Sequence, residues 1–425
     1  MRNRLIESIG PDTGIGKNIF YFIKWCIIAY IIGGFGGVIG GVFSLAITAV
    51  TGFRTANPWM LFVMPISGVA IVGLYQITGE VKNRGTNMVL EAISTEQMMT
   101  KRTGFLIFMS TILTHLVGGS AGREGAALQI GGSIGTWVGR WKFLKLDPKE
   151  EKIAVMCGMA AVFSALFGTP VAAAVFSMEV ISVGVMYYAA MLPCCLAAFL
   201  GRDIAQSMGV APELFTIEEV PALNIETVQP VVLLGLLLAI LSIAFVLILH
   251  GTEHKMKEYL PNPYVRILVT SVVFIALTLL VRTRVYCGSS MILIEESIEG
   301  HVEWYSFILK TVFTAIALGG GFRGGEIIPT LCVGACFGAL VGVLLGFNPP
   351  LMAACGMIGL FAAVTNCPIS SIFLGIELFQ GQGIAFFATV VSISFTLSGY
   401  YSLYGSQKFV YAKLKNEFVN RMSNR

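Results

Sequence analysis

The chain has 425 residues, of which 56% are hydrophobic and only 12% are charged, and its formal net charge is +4. A soluble globular domain carries about a quarter charged residues, and a mean hydropathy of +0.80 is too high for a surface that faces water. These values exclude a soluble enzyme, a DNA-binding protein and a disordered scaffold as descriptions of the whole chain. We expect the lipid bilayer as its surroundings and no nucleic acid as a partner.

Long runs without charges divide most of the chain into stretches that can cross a bilayer. A transmembrane helix needs about 20 consecutive apolar residues, and the run 327–376 holds enough for more than one helix. We expect more than about ten helices of unequal length. The runs lack the period-2 alternation of a membrane β-barrel, so we predict an all-α polytopic membrane protein. The runs without Asp, Glu, Lys or Arg are 25–53, 55–79, 103–122, 153–178, 180–201, 227–252, 327–376 and 378–407.

The two terminal segments, 1–17 and 408–425, are polar and basic. A cleaved signal peptide has a shorter apolar core than the run that follows residue 17, and a cleavage site of small residues. We therefore expect segment 1–17 to be retained. The positive-inside rule places both segments in the cytoplasm, which implies an even number of crossings of the inner (plasma) membrane. The basic residues of the tail are Lys408, Lys413, Lys415, Arg421 and Arg425.

A polar stretch, 202–228, interrupts the hydrophobic pattern near the middle of the chain and contains Glu213, Glu218 and Glu219. We interpret it as a linker between a first membrane half, 18–201, and a second, 229–407.

The two halves carry matching motifs in the same order. GGSAGREGAALQIGG at 118–132 matches GGGFRGGEIIPTLCVG at 319–334, and the segment from Pro170 to Glu179 matches that from Pro368 to Glu377. Transporters often contain such repeats, inverted across the membrane, with the binding site at the midplane between them. We therefore predict an internal inverted repeat.

Each glycine cluster lies at the N-terminal end of a hydrophobic helix. Free backbone N–H groups and the positive end of the helix dipole gather there, and such an end binds anions. Glycine also lets an ion approach the backbone closely. The alternative is that these glycines only permit tight helix packing.

Isolated glutamates beside these clusters favour the functional interpretation. Ionisable residues at membrane depth are costly and mark pathways for ions or protons. Glu124 and Glu326 each lie at a glycine cluster. A carboxylate at a helix N-terminus occupies an anion site when the site is empty and leaves it when protonated, so it competes with the anion and carries protons. For Glu179 and Glu377 we expect a structural role at a helix end.

Three motifs resemble those of the CLC anion channels and transporters. Residues 122–126, GREGA, resemble the GREGP signature of that family, and residues 325–329, GEIIP, resemble its GIFAP signature. Residues 402–407, SLYGSQ, resemble the segment that supplies a pore-facing tyrosine. The resemblance covers nearly the whole chain. It implies a homodimer with one pore per subunit, two inverted halves and about 18 helices in each subunit, many of them tilted or broken.

The resemblance also assigns roles to individual residues. Glu124 is expected to be the gating glutamate, and Tyr404 is expected to donate its hydroxyl to the ion. Glu326 is expected to help with the proton or the anion. The residues that it places around the ion are Thr86, Asn87, Met88, Gly122, Arg123, Gly125, Gly325, Ile327, Ile328 and Tyr404.

Three departures from the family pattern resemble its fluoride/proton antiporter branch. The GSGIP segment, whose serine faces the central ion, is replaced by GTNMV at 85–89. Glu326 replaces a hydrophobic residue of the second signature, and Val180 stands where chloride/proton exchangers have an internal glutamate. Which of Thr86, Asn87 and Met88 faces the ion is left open.

The residues alone support an anion coupled to protons. Fluoride is small and strongly hydrated, so backbone N–H groups and hydroxyls of Thr and Tyr are suitable donors to replace its water. With the resemblance, we predict a proton-coupled fluoride exporter. The alternative of the same fold is a chloride/proton antiporter or a chloride channel.

An intramembrane enzyme is the alternative from a different class. His250 and His254 are four residues apart, but the HExxH pattern is absent and no nucleophile motif is present. The nine cysteines show no metal-ligand spacing. We therefore expect no enzyme activity, no metal and no cofactor.

Overall fold

The computed structural model describes residues 14–80, 85–95 and 99–424. Most of the predicted N-terminal segment 1–17, and Arg425 of the tail, lie outside these residues. Within them the chain forms sixteen α-helices, two short 3₁₀ helices and three strands. The count agrees with the expected polytopic helical fold of about 18 helices.

Eight helices form the first half. They are α1 (Gly14–Ala56), α2 (Met64–Ile77), α3 (Asn87–Ser94), α4 (Lys101–Leu116), α5 (Glu124–Gly139), α6 (Pro148–Phe167), α7 (Pro170–Glu179) and α8 (Met191–Ser207). The 3₁₀ helices, Pro58–Val63 and Tyr188–Ala190, also lie in this half.

Eight more helices follow a connection over residues 208–224, which is shorter than the predicted linker because helices extend into both of its ends. They are α9 (Ile225–Tyr259), α10 (Pro263–Val281), α11 (Met291–Ile298), α12 (Ser306–Gly320), α13 (Ile327–Leu345), α14 (Pro349–Thr365), α15 (Pro368–Leu378) and α16 (Ile384–Leu397).

Helix lengths are as unequal as the charge-free runs suggest. Among the described residues, six helical spans are long and apolar enough to cross a membrane, and five further apolar helices are shorter. Large apolar side chains stay exposed on the long helices, for example Ile66 at 71% and Leu280 at 78%. Such exposure fits surroundings of lipid rather than water.

A small sheet in the tail departs from the predicted all-helical architecture. β1 (Ser182–Val183) pairs in parallel with β2 (Lys408–Tyr411), which pairs antiparallel with β3 (Phe418–Met422). The tail pairs with a strand just after α7, more than two hundred residues earlier in the chain. Local periodicity cannot predict pairing between such distant segments.

Glycine contacts confirm the internal repeat. A Cβ added at Gly131 of α5 would overlap the carbonyl oxygen of Gly158 in α6, and the reverse also holds. In the second half, Gly334 of α13 and Gly356 of α14 have the same relation. Small residues let membrane helices approach closely, so the α5–α6 and α13–α14 pairs are equivalent units.

The matched Pro–Glu segments confirm the repeat in a second way. The Glu377 carboxylate at the end of α15 accepts the N–H groups of Val171 and Ala172 at the start of α7, at 3.0 and 2.8 Å. The Glu179 carboxylate at the end of α7 accepts those of Ile369 and Ser370 at the start of α15, at 3.0 and 2.8 Å. Each glutamate thus caps the helix of the other half, in agreement with the expected role at a helix end.

Replacing Gly158 by valine is expected to destabilise the fold. The added side chain forces α5 and α6 apart, and overpacking of this kind costs about 1–3 kcal/mol. The measurement is the apparent melting temperature of the detergent-solubilised protein, monitored by size-exclusion chromatography of heated samples. The matched control is Gly34→Val in α1, where an added Cβ meets nothing within 4 Å. Equal melting temperatures of the two variants would contradict the close-packing role.

Candidate functional site

The two glycine signatures meet and pair with each other. The Gly122 N–H donates to the Gly325 carbonyl, and the Gly325 N–H donates to the Gly122 carbonyl, both at 2.7 Å. A Cβ on Gly325 would overlap the backbone of Gly125, so only glycine permits this approach. Because α5 and α13 begin beside this bridge, the N-termini of two helices from opposite halves converge at one point.

Glu124, the first residue of α5, is fully buried at this point. Its Oε2 lies 3.4 Å from the N–H nitrogen of Ile328 in the first turn of α13, a long hydrogen bond. Its Oε1 lies 3.7 Å from Nε of Arg123, and it accepts no hydrogen bond from the described residues. The carboxylate therefore lies where the N-terminus of α13 favours a negative charge.

Glu326 and Thr86 lie near Gly125. A Cβ at Gly125 would lie 3.6 Å from Oε2 of Glu326, 3.0 Å from Oγ1 of Thr86 and 2.8 Å from Cα of Gly325. Thr86 is buried and stands at the N-cap of α3. The carboxylates of Glu124 and Glu326 and the hydroxyl of Thr86 thus lie close to Gly125, where α5 and α13 begin, instead of at separate rims of the protein. We call this place the junction.

The three candidates at the start of α3 have different surroundings. The Asn87 Oδ1 accepts the N–H of Ser406 at 2.9 Å, so this side chain holds the 402–407 segment. Met88 is partly buried on α3. Thr86 is the one of the three whose hydroxyl lies beside Gly125.

Tyr404 completes the junction. Its side chain is 1% exposed, and its hydroxyl has no hydrogen-bond partner among the described residues. Buried hydroxyls are usually hydrogen-bonded, so this one is available to donate to a ligand.

Gln407, to which the sequence analysis gave no role, fixes the segment that carries Tyr404. Its amide nitrogen donates to the carbonyls of Val180 and Thr365 at 2.9 and 2.7 Å, and its amide oxygen accepts from Ser402 at 2.8 Å. The carbonyl of Val180 thus helps to hold the segment that carries Tyr404.

Arg123 connects the site to the linker between the halves. Its Nη2 forms an ion pair with Glu213, and its Nη1 donates to Oγ of Ser44 at 3.2 Å. In the sequence, Glu213 belongs only to the polar linker, and no local pattern connects it to Arg123.

The other candidate residues also occupy defined positions. Ile327 and Ile328 form the first turn of α13 and are buried. His250 contacts the carbonyl oxygen of Leu403 at 3.1 Å, and the exposed His254 lies 4.0 Å from Glu258. Within the described ranges, no group of three or more His, Cys, Asp or Glu side chains is placed to hold a metal ion.

The fold and the site define a polytopic membrane protein with two related halves that meet where α5 and α13 begin. The family profile of the voltage gated chloride channels matches residues 68–399. The chain therefore belongs to this family, the CLC family of anion channels and transporters, as the three motifs predicted.

Curated relatives of this chain carry the names of channels and exchangers. The chain is 29% identical over 401 residues to a chloride/fluoride channel protein of Pseudomonas syringae pv. tomato, covering 92% of this chain and 88% of that protein. It is 24% identical to the H(+)/Cl(-) exchange transporter ClcA of Vibrio campbellii, covering 83% and 81% of the two chains.

Solved structures confirm the CLC fold. A CLC-type fluoride/proton antiporter superposes with a TM-score of 0.86 and 31% identity, covering 91% of this chain and 98% of that one. A slow cyanobacterial chloride/proton antiporter superposes with a TM-score of 0.70 and 18% identity, covering 88% and 94%. The second likeness concerns the fold alone.

Filling the junction at Gly125 is expected to block ion passage. In Gly125→Val, the side chain collides with Cα of Gly325 and crowds the hydroxyl of Thr86, and we expect this overpacking to lower anion flux by about tenfold or more. The measurement is the initial rate of halide efflux from proteoliposomes. Gly34→Val is the control, because it adds the same side chain in open space. Undiminished flux through correctly eluting Gly125→Val protein would contradict the placement of the ion path.

Proposed function

We propose that this protein is a proton-coupled fluoride exporter, in which fluoride leaves the cell as protons enter. The observation that carries the proposal is the meeting of Glu124, Glu326 and the Thr86 hydroxyl around Gly125, where two paired helices begin. The similarity to a chloride/fluoride channel protein and to a fluoride/proton antiporter supports fluoride as the substrate.

Exchange follows from the position of the Glu124 carboxylate. It lies at the N–H of Ile328, where an incoming anion would also bind, so one position takes one negative charge at a time. When Glu124 takes up a proton it loses its charge, and fluoride replaces it. When the proton leaves to the other side, the carboxylate returns and the fluoride is displaced. Anion and proton therefore move in opposite directions.

Selectivity for fluoride rests on hard donors at short range. Fluoride must exchange its hydration water for N–H and O–H groups. The hydroxyls of Thr86 and Tyr404 and the N–H groups at the start of α13 are such donors. A protonated Glu326 adds a further O–H, and hydrogen bonds to an ion are the stronger ones.

Replacing Glu124 by glutamine is expected to abolish proton coupling. The amide keeps the shape of the side chain but neither carries a proton nor competes as an anion. In proteoliposomes followed with a fluoride electrode and a pH electrode, we expect proton uptake to fall at least about tenfold relative to fluoride flux. Glu219→Gln, which removes an exposed carboxylate from the linker, is the control. Persistent proton uptake with Glu124→Gln would refute the role.

Replacing Glu326 by glutamine is expected to slow fluoride/proton exchange. We expect the variant to lose about tenfold in the turnover of fluoride/proton exchange. Normal turnover would remove Glu326 from the mechanism.

The ratio of fluoride to chloride flux through the unmodified protein tests the choice of substrate. We expect fluoride to pass faster than chloride. A ratio that favours chloride would support the alternative, a chloride/proton antiporter, and a fast current without protons would support a channel.

The remaining features of the proposal are assembly and orientation. We expect a homodimer in the inner membrane with both termini in the cytoplasm. The division into 1–17, 18–201, 202–228, 229–407 and 408–425 also stays a prediction, with helix ends shifted as described above. Cysteine labelling from each side of the membrane tests the orientation.

A further inference from the structure

The segment that carries Tyr404 has no regular secondary structure of its own. Helix α16 ends at Leu397 and β2 begins at Lys408, and residues 398–407 between them form neither a helix nor a strand. Backbone groups that are buried away from water must be paired, so other parts of the chain must bind this segment. The position of the Tyr404 ring therefore depends on contacts with those parts.

Two residues that directly follow β3 make such contacts. The hydroxyl of Ser423 donates to the carbonyl of Tyr404 at 2.9 Å. The N–H of Ser423 donates to the carbonyl of Gln407 at 3.1 Å, and the N–H of Asn424 donates to the carbonyl of Tyr400 at 2.7 Å. The tail thus binds the backbone of the segment at Tyr404 itself and on both sides of it.

The hairpin formed by β2 and β3 is itself anchored to α16. Between the two strands, the ammonium group of Lys413 donates to the carbonyl of Phe395 and to the hydroxyl of Ser398, both at 2.8 Å. These acceptors lie at the C-terminal end of α16, where the helix dipole favours a cation. Because the hairpin is fixed to α16, Ser423 has a defined position beside Tyr404.

Tyr404 is held through its backbone and not through its hydroxyl. Its N–H donates to Oγ of Ser402 at 3.1 Å, and its carbonyl accepts from the N–H of Gln407 at 3.0 Å as well as from Ser423. Its hydroxyl has no hydrogen-bond partner in the part of the chain that the structure describes. A binding group must be held within about 0.5 Å of its productive geometry, and here that precision has to come from the backbone contacts.

We propose that Ser423 is a positioning residue for anion binding: its hydrogen bond to the Tyr404 carbonyl directs the Tyr404 hydroxyl to the bound fluoride. The inference rests on the proposed function and adds to it a residue of the tail that sets fluoride affinity without touching the ion. Loss of the Ser423 hydroxyl loosens the backbone of Tyr404, and the hydroxyl of the tyrosine then spends less time in the position that binds the anion.

The test measures the half-saturating fluoride concentration and the maximal rate of fluoride efflux from proteoliposomes. Ser423→Ala loses the hydroxyl but keeps the backbone bonds, so we expect the half-saturating concentration to rise about three- to tenfold and the maximal rate to change less than about twofold. Ser423→Thr keeps a hydroxyl and is expected to match the unmodified protein. The control is Ser392→Ala, which removes an exposed hydroxyl that donates to the carbonyl of Ala388 within α16.

A double-mutant cycle separates positioning from a general loss of structure. Tyr404→Phe removes the hydroxyl that binds the fluoride in the proposal, so we expect it to raise the half-saturating concentration by itself. If Ser423 acts through that hydroxyl, adding Ser423→Ala to Tyr404→Phe causes no further rise. Additive effects of the two changes, an unchanged half-saturating concentration in Ser423→Ala, no recovery in Ser423→Thr, or an equal rise in Ser392→Ala would each overturn the positioning role.

Failure of the proposed function gives a different pattern of results. If the unmodified protein exchanges protons for chloride and not for fluoride, the fluoride proposal fails, and the same cycle measured with chloride decides the role of Ser423. If Tyr404→Phe leaves the half-saturating concentration unchanged while proton-coupled fluoride export continues, the exporter proposal stands and the positioning role is overturned. If the protein transports neither halide, both proposals are overturned.

Discussion

The structure depends on one constraint: two helices from opposite halves must begin at the same place inside the protein. The reciprocal N–H to carbonyl bonds of Gly122 and Gly325 impose it. Two helix N-termini brought together concentrate positive potential without placing a full positive charge in lipid. Everything else at the junction, from the buried Glu124 to the hydroxyl of Tyr404, is arranged around that potential.

The protein uses carboxylates at helix starts in two ways, and their hydrogen bonding distinguishes them. Glu179 and Glu377 have both oxygens bonded to backbone N–H groups of the opposite half. Glu124 has a single long hydrogen bond, and its other oxygen accepts no hydrogen bond from the part of the chain that the structure describes. A saturated carboxylate is costly to remove and holds the halves together, whereas an incompletely bonded one leaves more easily. A carboxylate at a helix N-terminus therefore stabilises the contact between the halves at α7 and α15, and at Glu124 it permits movement of the side chain.

The sequence predicted the class, the repeat and the principal glutamates, because these are encoded in local patterns. Charge-free runs reveal helices, and motif order reveals the repeat. The pairing of Arg123 with Glu213, the scaffold around Gln407 and the tail sheet join segments that are far apart in the chain, so no periodicity reports them. The sequence also left open the choice among Thr86, Asn87 and Met88. The structure separates their surroundings: Asn87 contacts Ser406, and the Thr86 hydroxyl lies at the Gly125 position.

The reciprocal capping of α7 and α15 has a consequence for biosynthesis. The first half emerges from the ribosome with the N–H groups at the start of α7 unpaired, since Glu377 lies 206 residues beyond Val171. Unpaired backbone groups are costly in hydrocarbon. These N–H groups therefore gain their carboxylate partner only after Glu377 has been synthesised, so the two halves complete each other late in synthesis.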